Sequence, residues 1–191
     1  MLTSITPLGE RGRQRRWAAT VTAYTVGSVA AGSLLGGLLG LLPDPPSRAA
    51  VGLLAAACLI AAVLDWRPGW LPTVRRQVNE DWLNAYRGWV CGAGYGLQLG
   101  LGVVTIVTTA SVYVVLLAAA LAGSWWESVL IGATFGSCRA LPALLLRSVT
   151  TTTRLVALSR RLGRWATPAA RTTSSSLALL GITCAVTAVA Q

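Results

Sequence analysis

The sequence predicts an all-α, polytopic membrane helix bundle of about five transmembrane helices, with an amphipathic helix lying in the cytosolic interface. Three observations predict it. Of 191 residues, 54% are hydrophobic and only 12% are charged, at a mean hydropathy of +0.62, whereas charged residues make up roughly a quarter of an ordinary soluble domain. The apolar residues are gathered into long segments. The basic residues, sixteen Arg and no Lys, sit between those segments and mostly on alternate sides of them. Arg11, Arg13, Arg15 and Arg16 precede the first segment, and Arg67, Arg75, Arg76 and Arg87 occupy the second loop. Arg147, Arg154, Arg160, Arg161, Arg164 and Arg171 occupy the fourth. A chain threading back and forth through a bilayer keeps these fourteen on one face, as the positive-inside bias requires.

The elements follow in order. Residues 1–16 form a basic cytosolic N-terminus, and the bundle covers 17–146, with spans at about 17–42, 49–66, 89–122 and 128–146. An Arg-rich cytosolic interfacial segment covers 147–172, and 173–191 holds a fifth span. A spanning helix needs about 20 mostly apolar residues. The first, third and fourth segments meet that length, and the second is completed at the interface by Trp66. The apolar run after Arg16 is too long for a signal h-region and lacks a small-x-small cleavage site before Pro43, so it is expected to be retained. All eight Trp lie near segment ends or in adjoining loops, where indoles prefer the headgroup level. The expected placement is a bacterial inner membrane with the N-terminus inside and the C-terminus outside.

The third segment is longer than one crossing. From Val90 to Ala122 a straight helix would run about 50 Å against a hydrocarbon core of about 30 Å. Its Gly-dense first half, Cys91 to Gly102, permits a steep tilt, a break or a re-entrant stretch. Gly92, Gly96 and Gly100 form a stripe at fourfold spacing, as do Gly32, Gly36 and Gly40 in the first segment and Gly132 and Gly136 in the fourth. Such stripes let backbones approach where lipid supplies no hydrophobic drive. After the fourth span, Leu155, Leu158, Leu162 and Trp165 recur at helical spacing with Arg interleaved, the pattern of a helix whose apolar face lies on the bilayer and whose Arg face meets anionic headgroups.

Arg139 is the most functional-looking residue. It lies eight residues before Arg147, about 12 Å along a helix from the cytosolic edge. A guanidinium at that depth needs partners. No carboxylate lies well inside a span, which leaves Gln98, a backbone carbonyl or an anion. Gln98, Thr105 and Thr109 fall on one face of the third segment, so Arg139, Gln98, Thr105 and Thr109 form the candidate substrate-binding set. The bland alternatives are a snorkelling Arg and hydroxyls bonded to their own helix. Cys58 and Cys138 are the cysteine pair of matching depth and form a candidate redox pair, each being otherwise a small packing residue. With no His and no Cys-x-x-Cys, no metal or cofactor is expected. The net charge of +10 is divided among loops flanking apolar spans, so anionic lipid is the expected partner and nucleic acid is not.

Gly94-Tyr-Gly-Leu-Gln-Leu-Gly-Leu-Gly-Val-Val-Thr105, followed by Phe135-Gly-Ser-Cys-Arg-Ala-Leu-Pro142, resembles the membrane domains of the cytochrome c biogenesis and thiol-disulfide carrier family across the middle third of the chain. The resemblance implies passage of reducing equivalents through two membrane cysteines, of which only Cys138 falls within a resembling stretch. Two functions are therefore expected. The first is a small transporter or carrier of a polar or anionic solute, or of thiol reducing equivalents. The second is a non-catalytic membrane subunit or assembly factor of a larger complex. A homo-oligomer suits either, and no catalytic residue is assigned.

Overall fold

A computed structural model describes residues 6–12, 16–43, 45–66, 86–102, 107 and 109–190. Among the described residues every regular element is helical: α1 (Pro7–Gly12), α2 (Trp17–Leu39), α3 (Ser47–Trp66), α4 (Gly88–Gly100), α5 (Ser111–Ala120), α6 (Trp125–Leu145) and α7 (Thr152–Ala190), with a 3-10 turn at Leu146–Ser148. Four helical stretches, Trp17–Leu39, Ser47–Trp66, Trp125–Ser148 and Thr152–Ala190, are long and apolar enough to cross a membrane. Their outward faces carry exposed Leu34, Leu38, Ile60, Val63, Leu130 and Leu145. An aqueous surface would leave that area unfavourably hydrated, whereas lipid tails match it.

α2 is the hub. It packs against α4 on one side and α6 on the other, while α3 packs chiefly against α7, and α5 joins the two groups. The small residues set the registers. A methyl group placed on Gly92, Gly96 or Gly100 would meet the carbonyl oxygens of Thr20, Tyr24 and Ser28 respectively, so α4 and α2 rise in the same direction. On the other side, Gly132 meets Gly32 and Gly136 meets Ser28, so α6 runs antiparallel to α2. The Gly32–Gly132 approach is reciprocal, the carbonyl of each occupying the space of the other's missing Cβ. Ser28 stands where the three helices meet. It is fully buried, and its hydroxyl donates to the Gly136 carbonyl at 2.8 Å. That bond consumes a hydroxyl which lipid could not satisfy.

The third apolar segment is broken rather than tilted as one helix. α4 ends at Gly100, and Gly102 adopts φ +71 with its amide donating to the Leu99 carbonyl at 3.0 Å. That left-handed turn terminates the helix by supplying donors to its last carbonyls. The Phe135 ring of α6 closes over Gly102, so the turn also has no room for a side chain. The next described helix begins at Ser111. α5 then runs to Ala120, where Gly123, φ +73, turns it toward α6. Ser124 caps α6 by accepting the Glu127 amide at 3.3 Å, and the carboxylate of Glu127 sits in the first turn, where the helix dipole favours it.

At the opposite end of α2, residues expected to form only a basic tail contain a packed helix. α1 folds against α2 and the 3-10 turn, and Glu10 is 1% exposed. Its carboxylate accepts the Thr20 hydroxyl at 2.9 Å. The Arg-rich stretch and the expected last span are consecutive parts of one helix, α7, about 58 Å long at 1.5 Å per residue. Its first half, from Thr152 to Thr172, has no buried residue, and burial begins at Ser174.

The glycine registers make a direct test. Gly132→Leu should separate α2 from α6, by overpacking of more than about 1–3 kcal/mol, and appear as loss of the monodisperse peak in detergent chromatography. Gly52→Ala and Gly163→Ala, where an added methyl meets nothing, should leave the peak intact and raise thermal stability by up to about 1 kcal/mol each.

Candidate functional site

The best-formed polar constellation lies where the broken segment resumes. α5 is ten residues long, and a helix so short is marginal on its own. Its start is held from another helix. Asp65, one residue before the end of α3, accepts the Ala110 amide on Oδ1 at 2.6 Å and the Thr109 hydroxyl on Oδ2 at 2.8 Å. The Thr109 oxygen in turn accepts the Ser111 amide at 3.2 Å and lies 2.9 Å from the Ser111 hydroxyl. A carboxylate at a helix N-terminus satisfies amide donors and opposes the positive end of the dipole. Charge-assisted bonds of this kind are about twice as strong as neutral ones.

Around this clasp α3, α5 and α7 pack closely through mostly small side chains. Cys58, Ala61 and Ala62 of α3, Ala110 and Val114, and Leu177 of α7 form one buried cluster. Leu59 and Cys58 press on Gly181. A second cluster, at the α1 end of the hub, joins Val21 and Tyr24 of α2, Cys91 and Tyr95 of α4, and Ala140 and Ala143 of α6.

The structure distributes the expected site residues over both groups. Arg139 is half-buried on α6, its guanidinium carbon 5.3 Å from the centroid of the Phe135 ring one turn away and electrostatically close to Tyr24. The aromatic face thus supplies part of the stabilisation that a cation in an apolar setting needs. Gln98 is half-buried on α4, and its side chain has no hydrogen-bond partner among the described residues. Thr109 is committed to Asp65. Thr105 lies outside the described residues. Cys58 is fully buried against α7, Cys138 is exposed on α6, and all four cysteines are free thiols. The structure therefore does not bring Cys58 and Cys138 together. Among the described residues no group of His, Cys, Asp or Glu is arranged to hold a metal.

Asp65 and Glu10 are the residues that sequence reasoning missed. Asp65 stands at the junction of an apolar segment and a basic loop, and its partner is 44 residues away, so no local signal ties them. The available hint was an acidic residue directly before an interfacial Trp in a chain with only six acids.

No protein-family model matches the chain and no solved structure matches it. Curated relatives do. The chain is 37% identical over 123 residues to the methylamine utilization protein MauF of Paracoccus versutus, a match covering 62% of this chain and 45% of that one. It is 34% identical over 123 residues to MauF of Paracoccus denitrificans, covering 62% and 44%, and 34% identical over 140 residues to MauF of Methylophilus methylotrophus, covering 69% and 48%. The chain thus spans about half the length of the curated relatives it matches. These relatives correct the expectation of a small transporter or carrier: each is named as a methylamine utilization protein, and none as a transporter.

Removing the clasp should cost measurable stability. Asp65→Ala leaves the Ala110 amide and the Thr109 hydroxyl without their acceptor and should destabilise the protein by about 2–3 kcal/mol, and Thr109→Val by about 1 kcal/mol. Thermal unfolding of the two single variants and the double variant should show clear non-additivity, since both act on one network. Additive losses would place Thr109 outside the clasp.

Proposed function

We propose that this chain is a non-catalytic membrane subunit or assembly factor that supports methylamine utilisation by organising a larger membrane complex. The observation that carries the reading is the 37% identity to MauF over 123 residues. A core closed by backbone contacts supports it, since such a core is suited to presenting surfaces. The proposed placement is a bacterial inner membrane with the N-terminus inside. α2, α3, α6 and the second half of α7 span it, and α4 and α5 pack between them as an interrupted segment. Fourteen Arg outside the spans then face the cytosol. The exposed first half of α7 carries Arg154, Arg160, Arg161 and Arg164 beside Leu162 and Trp165, a composition suited to anionic lipid at the cytosolic surface or to a partner chain of the complex.

Because the chain spans about half of its relatives, a chimera gives the cleanest test. Replacing the matched region of the Paracoccus versutus protein by this chain, in a strain lacking its own copy, should preserve growth on methylamine. A chimera that inserts normally but abolishes that growth while sparing growth on other substrates would sink the reading.

Orientation is tested separately. In a variant with Cys58, Cys91, Cys138 and Cys184 replaced, a cysteine at Ser124 should be labelled by an impermeant maleimide in intact cells. One at Ser159 should react only after permeabilisation. The reverse pattern would invert the topology.

A further inference from the structure

A cavity of about 460 Å³ opens between the end of α3 and the middle of α7, lined by Asp65, Trp66, Thr167, Ala170, Arg171 and Ser174 among others. Its size falls in the range of small-molecule sites. Three features narrow its occupant. First, it presents one carboxylate and one guanidinium that do not neutralise each other. Asp65 bonds Thr109 and the Ala110 amide rather than Arg171, and Arg171 is exposed. Each oxygen of Asp65 uses one acceptor position in the clasp, and a carboxylate offers about four in all, so capacity remains for an ammonium group. Second, the rest of the lining is a small-residue wall and the Trp66 indole, whose side chain is 70% exposed. Third, the cavity lies at a boundary. α3 ends at Trp66, and α7 passes there from its Arg-rich half, which has no buried residue, to the apolar half that starts at Ser174. In a spanning arrangement that boundary is the headgroup level.

We propose that this cavity is a binding site for one phospholipid carrying a phosphoethanolamine headgroup, with its phosphate on Arg171 and its ammonium group on Asp65. A planar guanidinium fork grips two phosphate oxygens at once. The ammonium group donates hydrogen bonds to the free acceptor positions of Asp65 and lies near the Trp66 ring, where a cation is also favoured. The complementarity is specific in both halves. A choline headgroup keeps the positive charge but has no N–H to donate, and a glycerol headgroup donates hydroxyls but brings no cation. The occupied site would tie the lipid to the same carboxylate that holds α5, joining the α3–α7 pair to the surrounding leaflet.

The inference rests on the membrane placement of α3 and α7 and not on the assembly role. The chimera can therefore fail while the lipid is retained, and the reverse. The test is native mass spectrometry of the full chain extracted in mild detergent, followed by titration in nanodiscs of phosphatidylethanolamine, phosphatidylcholine or phosphatidylglycerol. The wild type should retain one phosphatidylethanolamine and prefer it to phosphatidylcholine by roughly tenfold, the scale of one lost charge-assisted hydrogen bond. Arg171→Gln, at an exposed position, should fold normally and lower retention by a similar factor. Asp65→Asn should erase the preference for ethanolamine over choline, with its thermal midpoint measured alongside because the same carboxylate holds α5. Equal retention of the three lipids, or unchanged retention in Arg171→Gln, would overturn the proposal. Displacement of the lipid by free phosphoethanolamine at equal concentration would overturn it too, by showing a site for a soluble zwitterion.

Discussion

The contact on which the rest of the structure depends is the backbone-to-backbone approach of α2 to its two neighbours. In hydrocarbon, side-chain burial gives helices little reason to associate, so close approach and hydrogen bonding must do so. Gly32 against Gly132, and Gly92, Gly96 and Gly100 against the carbonyls of Thr20, Tyr24 and Ser28, bring the axes near enough for main-chain atoms to touch. Ser28 then spends its hydroxyl on Gly136 across the interface. Once α2 is in place, the positions of α4 and α6 follow, and the space between them is filled by Tyr24, Tyr95 and Ala140.

This arrangement explains why the third apolar segment must break. A helix continuing beyond Gly100 would carry bulkier residues along α2, whose stripe of small contacts toward α4 ends near Ser28 and Ala31. The chain instead turns at Gly102 beneath Phe135, and α5 packs between the two groups, against α6 and α3. A restarted helix has amide donors in its first turn that no intrahelical carbonyl can satisfy. Asp65 answers that need. One carboxylate thereby satisfies the start of α5, orders Thr109 and ties α3 to the hub through α5. The two helix groups are joined by polar bonds where each group alone is held by close packing.

The functional reading has the same physical root. Main-chain contacts close the described α2–α4–α6 core, and the chemistry stands at its edges: the exposed Trp125 and Trp126, the Arg-rich half of α7 and the cavity beside Asp65. Arg139 illustrates the point. Its depth suggested a substrate contact, yet its side chain lies over Phe135 of its own helix, with Tyr24 nearby. An aromatic face contributes to the stability of a cation in an apolar environment.

Sequence alone determined the helical class, the apolar stretches and the stripes of small residues, because hydropathy and fourfold spacing are local properties and a helix projects them directly onto its faces. It also marked Val90 to Ala122 as too long for one crossing. Tertiary structure decided how that excess was resolved, since the break at Gly102 depends on Phe135 of a later helix. It likewise decided the partners of the polar residues. Thr109 read as part of a substrate face and proved to be bound to Asp65, 44 residues earlier. Glu10 read as part of a solvated tail and proved to be buried against Thr20. Cys58 and Cys138 matched in depth along the chain yet stand in different helix groups. Depth along one helix follows from residue count, but which helices are neighbours follows from the packing of small residues between them, and that information is non-local.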